Sequence, residues 1–345
     1  MCCLTLFFLL HLHCVYMDGT ASVLSFCLFR QLEKLAPDAT GQHLFARPIS
    51  PPMSSEQNRK HRLLITGASG YLGQVLVRRC PSIARASTEQ CLTLQSSPQV
   101  QHLLQSGTAD VHCTYTSGAE DWQVPGATTH RVDFSTNTGL DACLEACSPL
   151  DAVVNCAAIS QPASCAKTPE LAHAVNVPTA LLARLAVTSP HALFVHLSTD
   201  HVYEGNRPWW SEDDAAGCAA VNAYGKSKRE AEAAVVAQWK HHAMLRSSAI
   251  IGPVHMPYKP VTRSVFTKWL DDSLAAGAVN LFEDEYRSPV YVRDICSAID
   301  ALLRICVPQP GQGREPSGIE HRVFNLGGPE RCACNDAIVL LSLDS

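Results

Sequence analysis

The chain reads as an α/β protein built on a doubly wound parallel sheet, with a smaller lobe at its C-terminal end. Three observations carry this reading. Short apolar runs alternate with helix-patterned segments between residues 61 and 250, the rhythm of a parallel sheet whose crossover helices cover both faces. The first apolar run ends in a glycine-spaced turn, Thr66-Gly67-Ala68-Ser69-Gly70-Tyr71-Leu72-Gly73. A later run ends in Ser198-Thr199-Asp200, and the helix-patterned segment after it carries Tyr224 and Lys228, four positions apart and so on one helix face.

The elements follow in order. Residues 61–66 form a short buried strand and residues 71–79 the helix after the glycine turn. Residues 81–109 are polar, rich in Ser and Gln, and without a clear strand, so they read as an insertion. Residues 111–116 are the second strand, 131–134 the third, and 140–147 a helix. Residues 151–157 make a strongly apolar strand and residues 169–187 one long helix. The next strand spans 192–199, the Tyr-Lys helix 223–238, and a further strand 242–250. This first unit, 61–250, is the dinucleotide-binding domain. From residue 251 to 345 the order loosens into a smaller substrate lobe: prolines 253, 257 and 260 mark a loop. A helix at 265–276, a strand at 279–282, strand residues 291–292, a helix at 294–305 begun by Asp294 as its N-cap, and a strand at 323–326 follow.

Composition bounds the function. The 345 residues are 46% hydrophobic and 17% charged, ordinary for a globular protein. A formal net charge of −5 gives no basic surplus for a nucleic-acid backbone, which is excluded as a partner. Sixteen cysteines are many, but Cys156, Cys296 and Cys306 lie in apolar runs as small buried hydrophobes. The pairs Cys143/Cys147 and Cys332/Cys334 lack the second pair a zinc site needs, so no metal is expected and a reducing, cytoplasmic setting fits. Residues 1–16 are apolar without a basic start, and Asp18 ends the run before it reaches the ~20 residues of a membrane span. Residues 1–60 read as a disordered or targeting extension, with Met53 as an alternative start.

Gly67, Gly70 and Gly73 have the spacing of a dinucleotide cradle. The first allows the tight turn, the second lets a pyrophosphate approach the backbone, and the third permits close helix–strand packing in a Rossmann fold. The helix start, with Ser69, Tyr71 and Leu72, then presents N–H groups to the phosphates. An acidic residue after the second strand would favour NAD. The chain reads Ser117-Gly118 there, with no carboxylate until Glu120 and with Arg78 and Arg79 nearby in sequence, so NADP(H) is favoured over NAD(H). Asp133 and Phe134 are candidates for the adenine edge. Asn155, Ala157 and Ala158 end the fourth strand with small residues, suited to a flat ring lying against the backbone. An ammonium at Lys228 beside Tyr224 is expected to lower the phenol pKa.

This set resembles the extended short-chain dehydrogenase/reductases between about residues 62 and 329. Residues 194–205, 221–228 and 245–248 look like the dTDP-4-dehydrorhamnose reductase branch. The resemblance implies that Tyr224 gives a proton to a ketone oxygen while nicotinamide hydride attacks its carbon. Lys228 would bind the ribose hydroxyls, and Thr199, or alternatively Ser198, would hold the carbonyl oxygen. Asn176 would sustain a water relay, or else be an ordinary helix-surface amide. Asp200, His201, Arg246 and Arg287 are substrate-side candidates, with Arg287 facing a phosphate. The position after Thr199-Asp200, where related dehydratases carry Glu, is His201, which argues against dehydration. The implied activity is reduction of a 4-keto group on a nucleotide-linked deoxysugar. The same branch holds the regulatory β-subunit of methionine adenosyltransferase, so a non-catalytic, cofactor-binding partner of that synthetase is the alternative, and nucleotide-sugar epimerisation a third. A homodimer is compatible with either. After Pro329 the terminal helices expected of the family are missing, so the lobe reads as truncated.

Overall fold

A computed structural model describes residues 59–79, 109–116, 122–124, 126–252, 264–276, 284–308 and 322–333. The expected extension, the body of the insertion, the strand at 279–282, the proline loop and the Ser117-Gly118 segment lie outside these residues.

The central sheet has seven strands: β1 (His61–Thr66), β2 (Ala109–Tyr115), β3 (Thr128–Arg131), β4 (Ala152–Asn155), β5 (Leu193–Thr199), β6 (His242–Ser247) and β10 (Val323–Leu326). Every pairing is parallel, in the order β10-β6-β5-β4-β1-β2-β3. The winding direction reverses between β1 and β4, and in such sheets ligands lie outside the carboxyl ends at that point. The helices are α1 (Tyr71–Arg79), α2 (Leu140–Cys147), α3 (Pro162–Lys167), α4 (Pro169–Asn176), α5 (Thr179–Thr188), α6 (Ala223–Gln238), α7 (Val265–Ala275) and α8 (Val292–Cys306). Short strands β7 (Ile250–Ile251), β8 (Tyr286–Arg287), β9 (Val290–Tyr291) and β11 (Cys332–Ala333) make two small ladders, β7 with β9 and β8 with β11.

The strand period of two divides the apolar residues between two cores. Leu63, Ile65, Val154 and Val195 face one layer, packed on Leu72 and Leu76 of α1 and Ile295 and Ile299 of α8. Leu64, Val153 and Phe194 face the other, against Leu144 of α2, Leu181 and Leu185 of α5 and Val235 of α6. A sheet buried on both faces explains why its strands read as continuous apolar runs.

Several elements depart from the sequence expectation. The third strand is Thr128–Arg131, upstream of 131–134. Its residues are polar because it is the sheet edge, whereas Val132 and Phe134 are buried core residues off the ladder. The helix expected over 169–187 breaks between α4 and α5 at Val177-Pro178, since proline cannot supply the N–H the helix needs. That stretch is long and apolar enough to cross a membrane by composition, yet Leu181, Leu182 and Leu185 pack into the core. The strand expected over 242–250 ends at Ser247, and Ile250–Ile251 turns to pair with β9. Asp294 is not an N-cap: α8 starts at Val292, with Tyr291 in the cap position. Finally, β10 leaves the presumed lobe and pairs with β6 in the main sheet, Phe324 opposite Leu245.

Gly73 shows how closely α1 seats on the first turn. A Cβ there would lie 2.5 Å from the Gly67 carbonyl oxygen and 2.6 Å from the Ala68 Cα. Gly73→Ala therefore forces backbone apart, and we expect a loss of ~1–3 kcal/mol in urea unfolding. An unchanged midpoint would contradict this packing.

Candidate active site

The glycine turn is pinned before any ligand is considered. Gly67 N–H donates to Thr114 Oγ1 (3.1 Å) and Ala68 N–H to the Thr114 carbonyl (2.9 Å), fastening the turn to β2. Gly67 has φ +63°, and a Cβ on it would meet the Ala157 backbone at 2.7 Å. This backbone contact, together with the positive φ, explains the need for glycine at residue 67. A Cβ at Gly70 meets only the Gly67 carbonyl, at 3.1 Å, so that position stays open toward the cleft. Gln74 Nε2 donates to the Ser69 carbonyl (2.9 Å), while Tyr71 and Leu72 point into the core and shape the cradle from behind. Gly67 and Gly73 are thus filled by the protein itself, and Gly70 is the least crowded of the three.

The other cofactor-side candidates divide. Ala158 is half-buried beside Ala157 at the end of β4. Asp133 accepts from Ser135 N (2.8 Å) and Ser135 Oγ (2.6 Å), and these bonds hold its carboxyl below the usual range. Phe134 is a core residue against the α2 and α5 layer. Asn155 is buried, its Oδ1 accepting from Thr66 Oγ1 (2.6 Å) and its amide nitrogen 3.0 Å from His196 Nδ1.

Thr199 and Tyr224 come together where β5 ends and α6 begins. Asn222 caps α6 by accepting from Gly225 N (2.9 Å). Gly225 lets the helix start pass close to the turn after β5, for a Cβ there would stand 2.1 Å from the His201 carbonyl oxygen. Burial pushes the Tyr224 phenol above its ordinary pKa, the Asp200 carboxylate adds to this, and a hydrogen bond with Thr199 opposes it. The expected lowering by Lys228 is not what the geometry delivers. Lys228 is 1% exposed, and its Nζ lies 3.0 Å from His196 Nε2. Burial brings the Lys228 pKa down to about 8, with Glu232 and Cys156 acting against that fall.

The substrate-side candidates also divide. Arg287 Nη1 lies 3.2 Å from Asp200 Oδ2 and 3.0 Å from His201 Nε2, joining β8 to the turn after β5. Asp200 also accepts from Ser248 Oγ (2.8 Å), and the His201 ring meets Tyr224 edge-on at 5.7 Å. Asp200 and His201 therefore lie beside Tyr224, and Arg287 is tied to both of them. Ser198 and Arg246 sit deeper. Ser198 Oγ donates to Glu232 Oε1 (2.6 Å), and Arg246 grips both Glu232 oxygens at 2.9 and 2.8 Å while donating to Tyr203 Oη (2.8 Å). Asn176 is fully buried rather than a surface amide: it donates to the Ile159 carbonyl (3.1 Å) and Ser227 Oγ (2.8 Å) and accepts from Ile159 N (2.7 Å).

Sequence reasoning passed over Thr66, His196, Asn222 and Glu232. A signal was present for two of them. Leu64, Val153 and Phe194 are aligned core residues, and two positions on, at the same face, stand Thr66, Asn155 and His196. Three polar residues at one level of an apolar layer mark a constellation.

A doubly wound parallel sheet with a glycine turn at its switch point and Thr199, Tyr224 and Lys228 at the end of β5 and on α6 defines the Rossmann-type class. The comparisons narrow this. The profile of the RmlD substrate binding domain family matches residues 61–324, and the chain belongs to that family. It is 30% identical over 241 residues to a probable low-salt glycan biosynthesis reductase of Haloferax volcanii, covering 69% of each chain. It is 28% identical over 145 residues to the methionine adenosyltransferase 2 subunit beta of Xenopus tropicalis, covering 42% of each. The chain thus matches less than half the length of that second relative. Among solved structures, the dTDP-4-dehydrorhamnose reductase of Bacillus anthracis in complex with NADP superposes with a TM-score of 0.54 at 18% identity, covering 83% of this chain and 82% of that one. MoeE5 in complex with UDP-glucuronic acid and NAD superposes at 0.56 with 18% identity, covering 82% of each. These two establish the fold.

The ion pair behind the site yields a prediction. Glu232→Ala leaves the Arg246 guanidinium buried without its carboxylate, with side-chain exposures of 6% and 10% in the intact pair. We expect a loss of ~3–5 kcal/mol by chemical denaturation. A loss below ~1 kcal/mol would mean that the pair is solvated.

Proposed function

We propose that the chain binds NADP(H) in preference to NAD(H) and reduces a 4-keto group on a nucleotide-linked deoxysugar. The observation that carries this reading is the meeting of the Thr199 and Tyr224 hydroxyls beside the cradle, one helical turn from a buried Lys228. Gly67, Gly70 and Gly73 would hold the pyrophosphate, with Asn155, Ala157 and Ala158 as the floor beneath the nicotinamide end and Asp133 and Phe134 toward the adenine. The dinucleotide supplies a hydride to the carbonyl carbon. Tyr224 gives its proton to the oxygen of that carbonyl, and Thr199 donates a hydrogen bond to the same oxygen. A phenol held above its ordinary pKa stays protonated at neutral pH, the form an acid needs. Lys228 fixes the ribose hydroxyls. Arg287 takes a substrate phosphate once its contacts with Asp200 and His201 are exchanged.

The similarity to methionine adenosyltransferase 2 subunit beta supports a second reading, a cofactor-binding partner of that synthetase. Docking would not need proton transfer by Tyr224, so one variant separates the two. Tyr224→Phe keeps the ring and removes the proton. In NADPH-oxidation assays with dTDP-4-keto-6-deoxysugars we expect kcat to fall by ~10²–10⁴ with little change in KM. Wild-type protein that binds NADPH, turns over no keto sugar and co-purifies stoichiometrically with the synthetase would establish the second reading.

Cofactor binding is tested separately. Gly70→Val places a branched side chain where the cradle is open, and it should abolish the NADPH fluorescence enhancement seen with wild type. NADPH should bind more tightly than NADH. Its affinity should also decline as pH rises through about 8, where Lys228 sheds the charge that holds the ribose. Flat affinity across that range would remove Lys228 from the cofactor site.

A further inference from the structure

The register of three adjacent strands builds a feature that the reductase chemistry leaves unused. Thr66 on β1 pairs with Asn155 on β4, and Asn155 with His196 on β5, so all three side chains stand at one level of the sheet. They form a continuous line: Thr66 Oγ1 to Asn155 Oδ1 at 2.6 Å, Asn155 Nδ2 to His196 Nδ1 at 3.0 Å, and His196 Nε2 to Lys228 Nζ at 3.0 Å. The four residues are between 0 and 3% exposed. Buried polar groups of this kind are satisfied by hydrogen-bond partners, and here those partners are one another.

Donor counting makes the line informative. A neutral imidazole has one donor nitrogen and one acceptor. If Thr66 donates to Asn155 Oδ1, the Asn155 amide donates to His196 Nδ1. His196 then carries its proton on Nε2, and that proton needs an acceptor at Lys228, which only the neutral amine provides. With Lys228 as ammonium the line must run the other way: Lys228 donates to Nε2, Nδ1–H donates to Asn155 Oδ1, and the rotated amide donates to Thr66 Oγ1. Thr66 Oγ1 also receives the Ala157 N–H (3.3 Å), compatible with both arrangements. The two polarities differ by one proton on the His196–Lys228 pair, taken from or returned to water.

We propose that Thr66, Asn155 and His196 form a reversible hydrogen-bonded rung that positions Lys228 and ties its protonation to the tautomer of His196. His196 is a positioning residue, acting through Lys228. The other groups facing the ammonium are Glu232, one turn along α6, and Cys156, which follows β4. Glu232 is held by Ser198 and Arg246, so its charge is largely engaged elsewhere. Burial keeps His196 well below its ordinary pKa, so it changes tautomer rather than charge. Burial lowers the Lys228 pKa to about 8, so the reversal is expected near that pH. The rung matters to the proposed reduction because the cradle turn begins at Gly67, next to Thr66, and its floor at Asn155. The same rung therefore joins the proposed pyrophosphate turn and nicotinamide floor to the lysine.

The inference rests on the reductase reading only for its consequence in catalysis, and its test does not need turnover. In full-length protein labelled with ¹⁵N-histidine and ¹³Cε-lysine, NMR titration reads the His196 tautomer and the Lys228 charge together, with Lys228→Met and His196→Leu providing assignments. We expect His196 to hold its proton on Nε2 at high pH and on Nδ1 at low pH, with the change at the Lys228 midpoint. A single His196 tautomer throughout, or a switch away from that midpoint, would overturn the proposal. His196→Leu should lower the Lys228 midpoint by at least one pH unit, a tenfold loss of proton affinity, because the ammonium loses its acceptor. His196→Gln, which offers an amide oxygen, should restore it. A folded His196→Leu variant with the wild-type midpoint would also sink the idea. Tyr224→Phe leaves the rung untouched, so turnover retained by that variant would sink the reductase reading while an intact tautomer switch upheld this one, and the two failures are read separately.

Discussion

The site depends on the register among β1, β4 and β5. Parallel pairing aligns Leu64, Val153 and Phe194 across the sheet, and their side chains seal one core layer. Two residues later the same alignment brings Thr66, Asn155 and His196 to one level at the carboxyl ends. A slip of one residue in any of the three would turn every side chain of that strand to the opposite face. The apolar layer therefore determines where the polar atoms stand. The close approach of Gly67 to Ala157 belongs to the same constraint, since it is the contact between the turn after β1 and the end of β4.

The second support is the pair Glu232–Arg246. It joins α6 to β6, and through Tyr203 and Asn325 it reaches β10, with Tyr203 Oη donating to Asn325 Oδ1 at 2.7 Å. Along α6, Tyr224, Lys228 and Glu232 follow at intervals of four and share a face. Only the first lies at the mouth of the site. The second reaches the polar rung, and the third anchors the helix to the sheet. One helix face thus grades from chemistry to structure, and a charged pair in the core gives it a single rotational setting.

Much of the fold was legible because the strong signals are local. Residues 61–66, 140–147 and 223–238 carry a buried strand run, an amphipathic helix and a capped helix, and each is found at the expected bounds. The edge strand was misplaced because Thr128–Arg131 has no apolar face to announce it. The helix over 169–187 was drawn through Pro178 because its apolar pattern continues across the break. At the site, glycine spacing and the Tyr-Lys interval were readable, being properties of one turn and one helix. The partners of Lys228 were not, since His196 and Asn155 reach it only through register between distant segments. For the same reason, Ser198 and Arg246 looked like substrate contacts beside the motif while being spoken for by Glu232.

The last step concerns direction. An acid for ketone reduction should hold its proton until the carbonyl oxygen gains charge, and a phenolate made by a nearby ammonium would serve oxidation instead. In this molecule Lys228 faces His196, and burial together with Asp200 raises Tyr224 above its ordinary pKa. The phenol is therefore held protonated, with the Thr199 hydroxyl hydrogen-bonded beside it. Under the proposed reduction the proton would come from Tyr224, while Lys228, buried against His196, would hold the adjustable charge.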